Sequence, residues 1–518
     1  MGVRLRPGCH LVATWGIDDR FGGMTEALLH RSRAFVRLGG VRVDVVTFDL
    51  RADYPALEAR LRASGDLSDG MTLSNIWDWM RENPPPDDAE AAARRAFSPL
   101  AGDPAFESVR RGERELMRIR YADDGRTVLQ VDHYRSDGTL AVSDRRDARE
   151  RGTAGGRVIA WCDAEGMPRR RWSTVRSLYR WWLDRLRDGR PTTLIVDSKT
   201  SARFLLGYRR KDLVTFHVVH ASHRHSAGDP FRVRASRAEV FSAADGFDRI
   251  VFLTERQRAD ARPLLGPHAR LAVIPNGRTV SSRDAATRVR SPFRGIVLAT
   301  LDRRKRVEHA VQAVLGLQQP VRLDVFGDGP NRAKIERVVA QAPAAPAHVA
   351  LHGHRAGASR ELADASFLLL TSRSEGLPLV LVEAMAHGCL PIAYDVPYGP
   401  ADIISTGSNG FLVPAGDVPA LTAAIEDLLA LPAERVAALR RNAVRTAGRY
   451  SDDTVTRIWA REIDRAAVER GFAPSAPARA LAFRLRRGLA RRWRKLPRRD
   501  GIRPSGRQAE PPRDSLTA

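Results

Sequence analysis

The sequence predicts an α/β protein: two successive parallel-sheet domains, with an antiparallel β-meander set into the first. Three observations carry this reading. Apolar, β-prone stretches alternate with helical-period segments from residue 10 onward, and a second such series follows residue 290. Pro275-Asn276-Gly277 and a charged stretch to Arg290 separate the two series as a linker. Within the first series, Tyr121-Ala-Asp-Asp124-Gly125 and Tyr134-Arg-Ser-Asp137-Gly138 repeat thirteen residues apart, a hairpin signal.

The elements follow in order. His10–Trp15 reads as a strand, Thr25–Leu38 as a helix with Leu28, Phe35 and Leu38 on one face, and Arg42–Phe48 as a second strand. Residues 55–118 read as mostly helical and polar, broken at Pro84-Pro85-Pro86. Alternating stretches at Thr127–Val131, Thr139–Val142 and Arg157–Trp161 make the meander, with Glu165-Gly166 as a looser third copy of the turn. Strands return at Thr193–Val196, Thr215–Val219, Arg249–Leu253 and Leu271–Ile274. The second series has strands at Gly295–Thr300, Val321–Phe326, Val349–His352, Phe367–Leu370 and Leu390–Tyr394. Its helices include Glu308–Leu317, Asn331–Val339 and Pro378–His387, and a last helix covers Asp452–Arg470. The domains expected are 1–280 (with an insertion at about 85–170), 281–450, a helix at 451–473 returning to the first domain, and a basic tail at 474–518.

Composition bounds the function classes. Of 518 residues, 43% are hydrophobic and 28% charged, which excludes chain-wide disorder, collagen and small disulfide scaffolds. Cys9, Cys162 and Cys389 are odd in number, far apart and outside any CxxC, so neither a disulfide framework nor a structural zinc site is expected. The opening MGVRLRPGCHLVATWG lacks an apolar run followed by a small-residue cleavage site. The most apolar run, Leu377 to Ile392, is interrupted by Glu383 and His387 and is too short to span a bilayer. A cytoplasmic protein is the expectation. The net charge of +24 raises nucleic acid, anionic polymers and membrane surfaces as partners. Nucleic acid is set aside, because no recognition motif or aromatic platform accompanies the charge. Much of that charge is local: Arg479 to Arg499 holds ten basic residues and no acidic one.

Two loops carry candidate chemistry. Gly22-Gly23, between the first strand and the Thr25 helix, is either a phosphate cradle or a plain strand-to-helix turn. In the second domain, strand Phe367–Leu370 ends at Thr371-Ser-Arg-Ser-Glu375-Gly376-Leu377-Pro378, and Pro378 opens a helix bearing Glu383. Glu375 and Glu383, eight residues apart, can face one cleft at the carboxyl ends of the strands. Most helix glutamates are merely solvated. Glu383 lies in an otherwise apolar segment, however, where a carboxylate needs a partner such as a hydroxyl-rich ligand. Gly327-Asp-Gly329-Pro330 and His352-Gly353-His354 either shape a nucleotide pocket or are structural turns.

Ser374-Glu375-Gly376-Leu377-Pro378 through Glu383-Ala384-Met385-Ala386-His387-Gly388 resembles the E-x7-E signature of retaining GT-B glycosyltransferases of family four. Gly22-Gly23-Met24, His217-Val-Val-His220-Ala-Ser-His223, Thr254-Glu-Arg-Gln257, Ile274-Pro-Asn-Gly277, Lys305 and Phe326-Gly-Asp-Gly329-Pro330 fall in the family's order. Asp395-Val-Pro-Tyr-Gly399-Pro400, Asn409-Gly410-Phe411 and the meander resemble more specifically the bacterial poly(glycerol-phosphate) α-glucosyltransferases that decorate teichoic acids. The resemblance covers about residues 10–470.

It implies a UDP-sugar donor, a polyol-phosphate or other glycan acceptor, and no catalytic metal or other cofactor. Lys305 corresponds to the family's contact to the donor diphosphate; the Arg usually found five residues earlier is Thr300 here, with Arg303 or Arg304 as displaced substitutes. Glu383 corresponds to the carboxylate that holds the ribose hydroxyls. Glu375 and the Gly376–Leu377 amides correspond to the contacts with sugar and phosphate, joined by Gly22 and Gly23. His220, rather than His217 or His223, corresponds to the histidine at the donor sugar, so His220, Lys305 and Glu375 are the expected catalytic set. Other acceptors (protein serine, capsule or lipid-linked) and a non-catalytic binding subunit stay open. The exposed edges of the meander make homo-oligomerisation an expectation. The stripe Leu481, Leu485, Leu489, Trp493 and Leu496 amid arginines reads as an amphipathic helix for the inner membrane face, against a grip on the acceptor or an unstructured arm.

Overall fold

The computed structural model describes residues 3–86, 106–225, 232–280, 285–342 and 346–472. The basic tail, with the membrane contact expected of it, and the first part of the insertion lie outside the described residues. Met1–Phe472 forms one unit.

Three strands come first: Cys9–Ala13 (β1), Val43–Thr47 (β2) and Met71–Asn75 (β3). The meander follows with Glu107–Arg111 (β4), Arg114–Tyr121 (β5), Val128–Tyr134 (β6), Leu140–Arg145 (β7), Val158–Cys162 (β8) and Pro168–Trp172 (β9). Thr192–Val196 (β10), Leu213–Val219 (β11), Arg249–Phe252 (β12) and Leu271–Val273 (β13) complete the first sheet, in the order β13-β12-β11-β10-β1-β2-β3, all parallel. Its central strands are buried end to end, as helix-covered faces require. The chain leaves β1 toward β2 on one side and returns to β10 on the other. That reversal opens a crevice at the carboxyl ends of β1 and β10.

A second parallel sheet repeats the design: Arg294–Leu298 (β14), Arg322–Phe326 (β15), His348–Gly353 (β16), Phe367–Leu370 (β17), Leu390–Tyr394 (β18) and Phe411–Val413 (β19), in the order β16-β15-β14-β17-β18-β19. Its switch lies beside β14, so the loops after β14 and β17 face a second crevice. The last helix, Asp452–Glu469, leaves this sheet and packs on the first. The Trp459 ring meets Phe35 at 6.0 Å and Phe216 at 5.6 Å, and Glu462 and Glu469 pair with Arg249. The two stretches that pass between the sheets meet at a bridge of Arg278 with Ser451.

The meander is a six-stranded antiparallel sheet in sequence order. At its repeated turns Asp124 Oδ1 accepts from the amides of Arg126 and Thr127, and Asp137 Oδ1 from that of Thr139. Gly125 and Gly138 follow with φ of 61° and 82°. Trp161 donates its indole N–H to Met80 O at 3.1 Å, and Trp77 stacks on His133 at 4.6 Å, fixing the sheet to the helix Ile76–Glu82. The sheet extends beyond the expected stretches at both ends, to Glu-Ser-Val-Arg-Arg and Pro-Arg-Arg-Arg-Trp. These are polar edge strands without an apolar alternation to announce them. The polar strand Met71–Asn75 likewise interrupts a segment expected to be helical. Among the described residues, no helix is long and apolar enough to cross a membrane.

Candidate functional site

The carboxyl ends of the two sheets face each other across a cavity of about 550 Å³. Gly23, His220, Lys305, Glu375, Gly376, Leu377 and Glu383 all line it; Gly22, the remaining site residue expected from the sequence, is the N-cap of the helix Gly23–Gly39. A Cβ on Gly22 or Gly23 would touch nothing within 4 Å, and neither glycine has a positive φ. The chain's own packing therefore does not demand glycine there. Open space at a helix N-terminus is what an approaching anion needs.

On the second wall, Lys305 Nζ lies 2.6 Å from Glu375 Oε1, and Arg304 Nη1 lies 3.6 Å from Glu375 Oε2. Asp302 Oδ1 accepts the amides of Arg304 and Lys305 at 2.8 and 3.0 Å, and Thr300 Oγ1 donates to Asp302 Oδ2 at 3.0 Å. Thr300 thus braces the loop, and Arg304 stands beside Lys305 as a further cation on this wall. Glu383 projects from the helix Leu379–Ala386 with its side chain 25% exposed. The sequence argument left its carboxylate in need of a ligand. The structure corrects this: Arg278 Nε donates to Glu383 Oε1 at 2.6 Å, and Arg278 Nη2 reaches Glu26 Oε1 at 2.7 Å.

On the first wall, His220 follows β11 and donates its Nε2 hydrogen to Asp197 Oδ1 at 2.6 Å. Asp197 follows β10 and receives Arg31 on both oxygens, at 2.9 and 2.6 Å. Burial raises the Asp197 carboxyl, but the charge of Arg31 and the hydrogen bonds from His220 and Arg31 outweigh it and hold the group well below the usual carboxylate range. With the Nε2 hydrogen directed at Asp197, the other ring nitrogen, Nδ1, is buried without a hydrogen-bond partner among the described residues. His217 instead donates Nδ1–H to Val196 O at 2.9 Å within the sheet, and burial with the charge of Arg237 pushes it down to about 4. His223 stacks on Tyr398 at 5.6 Å. Of these three histidines, His220 is the one at the cavity.

The glycine turn after β15 packs against the loop that follows β14. A Cβ on Gly327 would fall 1.8 Å from Ala299 O, and one on Gly329 2.6 Å from Leu301 O. His352 stacks on Phe326 at 4.5 Å and reaches Asp324 Oδ1 at 2.8 Å. Sequence reasoning missed Arg31, Asp197, Glu26 and Arg278. Asp197 carried a signal, since it ends a strand at the sheet's switch point; Arg278 was absorbed into the linker.

Residues 293–431 match the family described as glycosyl transferases group 1. Over this stretch the chain is similar to that family. The stretch contains Arg304, Lys305, Glu375 and Glu383, the whole second wall of the cavity. Among curated relatives, the poly(glycerol-phosphate) alpha-glucosyltransferase of Bacillus subtilis is 21% identical over 80% of this chain and 69% of its own length. The poly(ribitol-phosphate) alpha-N-acetylglucosaminyltransferase of Staphylococcus aureus is 19% identical over 86% and 97%. An exopolysaccharide phosphotransferase of Streptomyces coelicolor is 34% identical over 44% of this chain, which spans a quarter of that relative's length. Among solved structures, S. aureus TarM superposes with a TM-score of 0.66 at 17% identity, over 88% of this chain and 100% of TarM. The pneumococcal O-GlcNAc transferase GtfA superposes with 0.61 at 17% identity, over 89% and 99%. The fold is GT-B.

Proposed function

We propose that the chain is a retaining hexosyltransferase that moves glucose from UDP-glucose to a hydroxyl of a polyol-phosphate polymer of the teichoic acid class. The observation that carries the reading is the convergence of Lys305, Arg304 and Glu375 on one rim of the cavity, opposite His220, with Glu383 on the helix Leu379–Ala386 that follows the Glu375 loop. The B. subtilis relative, whose alignment spans most of both chains, supports the acceptor class.

The chemistry follows from the side chains. A nucleoside-diphosphate leaving group gathers negative charge as the sugar–phosphate bond breaks, and fixed cations at that point stabilise the transition state. Lys305 and Arg304 are those cations, with Glu375 holding Lys305 in place; the chain needs no metal for this charge. Glu383 accepts hydrogen bonds from the ribose hydroxyls through the oxygen Arg278 leaves free. His220 Nδ1 accepts a hydroxyl proton of the donor sugar in a hydrogen bond. The acceptor hydroxyl attacks from the face the diphosphate leaves, and a diphosphate oxygen takes its proton, so the new bond keeps the configuration of the old one. Arg234, exposed on the first wall, supplies positive charge where an anionic acceptor enters.

A second reading has its own support: the S. aureus relative is named for N-acetylglucosamine, and several streptococcal relatives for N-acetylglucosamine transfer to peptide. UDP release separates these readings. The purified chain is given UDP-glucose or UDP-N-acetylglucosamine with poly(glycerol phosphate), poly(ribitol phosphate) or a serine-rich peptide. Release from UDP-glucose that depends on a polyol phosphate is expected. No release from any pairing by folded protein would instead make the chain a non-catalytic binding subunit.

The enzyme works at the cytoplasmic face of the membrane, held by its basic tail, and associates with copies of itself through the meander. Support for the latter is the pair of sheet edges at β4 and β9. Loss of the meander would lower the mass read by light scattering.

A further inference from the structure

Arg278 is the most heavily engaged side chain of the cavity wall that the reading above leaves without a role of its own. Its backbone is pinned from both sides. The Arg278 amide donates to Tyr450 O at 2.9 Å, and its carbonyl accepts the Asp452 amide at 3.1 Å, at the place where both crossings between the sheets run together. Asp452 is itself anchored to the first helix by His30 at 2.6 Å and Arg37 at 2.7 Å. The guanidinium, with the side chain 8% exposed, then spans the cavity floor: Nε to Glu383 on the second wall, Nη2 to Glu26 in the first turn of the helix Gly23–Gly39.

We infer that Arg278 is a positioning residue that fixes the Glu383 carboxylate for the donor and couples its occupancy to the helix start at Gly23–Glu26. The inference rests on Glu383 being a donor ligand. Two carboxylates facing one cavity would repel each other and a nucleoside diphosphate; the single buried guanidinium between them removes most of that repulsion. Its rigid planar fork also holds Glu383 through Oε1 and Glu26 at once, leaving Glu383 Oε2 for a ligand, and a flexible ammonium lacks that fork. A ligand that draws on Glu383 changes what the same carboxylate offers Arg278, and Arg278 passes the change to Glu26. The glycines three and four residues before Glu26 are the expected anion cradle, so donor binding on one wall tightens the other.

The test uses the full chain, with UDP as the probe. In the wild-type protein UDP should slow amide hydrogen exchange in residues 379–387 and also in residues 22–30. In Arg278→Gln, affinity for UDP should fall about tenfold or more. At saturating UDP, slowing should persist at 379–387 and vanish at 22–30. Arg278→Lys, which keeps the charge, guards against a folding defect and should also lose the remote slowing. Wild-type slowing in both segments of both variants would overturn the inference. The donor reading fails separately: if UDP binds nowhere, the coupling still has to appear without ligand, as faster exchange of both segments in Arg278→Gln. Unchanged exchange in that case overturns the coupling as well.

Discussion

Gly376 approaches His220 so closely that a Cβ built on it would fall 1.8 Å from the His220 carbonyl oxygen and 2.7 Å from its carbonyl carbon. The two residues belong to opposite walls of the cavity, one in the loop after β17 and the other at the end of β11. The walls therefore meet backbone to backbone. Neither side can yield by turning a side chain, so this contact sets how far Glu375 stands from the His220 ring.

Gly376→Ala should separate the walls while each sheet stays folded. A methyl group forced against backbone costs about 1–3 kcal/mol, enough to lower turnover roughly tenfold to a hundredfold if the strain is relieved by opening the cavity. UDP release and thermal unfolding, measured together, check this. Full activity in the variant would mean that the contact does not set the catalytic spacing.

Glu383→Gln and Lys305→Ala should each abolish detectable transfer and leave the unfolding temperature within a few degrees. Each change removes a charged partner from the donor site, and a hydrogen bond to a charged group is worth roughly 1.5–3 kcal/mol. Glu383→Gln also leaves Arg278 with a neutral acceptor on the second wall. Turnover of either variant at the wild-type rate would reject the site.

Local chemistry made part of this site legible. Glu375, Gly376, Leu377 and Glu383 lie within nine residues on one strand-turn-helix, and a carboxylate in an apolar helix stands out by its desolvation cost. The two sheets were legible for the same reason, since buried parallel strands are continuous apolar runs such as Phe-Leu-Leu-Leu at 367–370. What stayed hidden depends on contacts distant in sequence. Arg31 meets Asp197 across 166 positions and Arg278 meets Glu383 across 105, and no local pattern marks an arginine among so many as the paired one. The polar edge strands β3, β4 and β9 were hidden differently: an edge needs only one neighbour, so its sequence carries little apolar signal.

Asp197→Asn and His220→Ala should separate a positioning role from a contact role. His220→Ala leaves the buried pair of Arg31 with Asp197 intact, so the fold should hold while turnover falls. Asp197→Asn leaves the Arg31 guanidinium buried without its counter-charge, which costs about 3–5 kcal/mol of stability. It also frees the imidazole to hold its proton on Nδ1, the atom assigned as the acceptor. Turnover should drop in both variants, with the unfolding temperature falling only in Asp197→Asn.

Stability should decline on mild acidification. His10, His133 and His217 are buried in the first sheet and the meander, and burial pushes all three below the usual imidazole value of 6.5, His217 to about 4. The unfolded chain takes up protons near 6.5 that the folded chain refuses, so stability present above pH 6.5 is lost as the pH falls toward 4. His217 alone accounts for about 3 kcal/mol across that window, at 1.36 kcal/mol for each unit. Urea unfolding at about pH 7.5 and about pH 5 measures it. Equal midpoints would mean that these histidines are charged in the folded protein.

The tail should bind anionic membranes. By sequence alone, Leu481, Leu485, Leu489, Trp493 and Leu496 recur at three- and four-residue steps, the spacing of one helical face, with Arg484, Arg487, Arg491, Arg494 and Lys495 between them. A basic amphipathic helix with Trp on its apolar side suits a headgroup interface, and each basic residue near an anionic surface contributes about 1 kcal/mol. A few engaged residues are enough for reversible attachment, and added salt should weaken it by screening them. Co-sedimentation compares the full chain with one ending near Gly471, on vesicles of anionic and of neutral lipid. The full chain should pellet with anionic vesicles at low salt, and the shortened chain should stay in the supernatant. If both pellet alike, the attachment lies elsewhere; if neither does but the full chain alone retains poly(glycerol phosphate), the tail grips the acceptor.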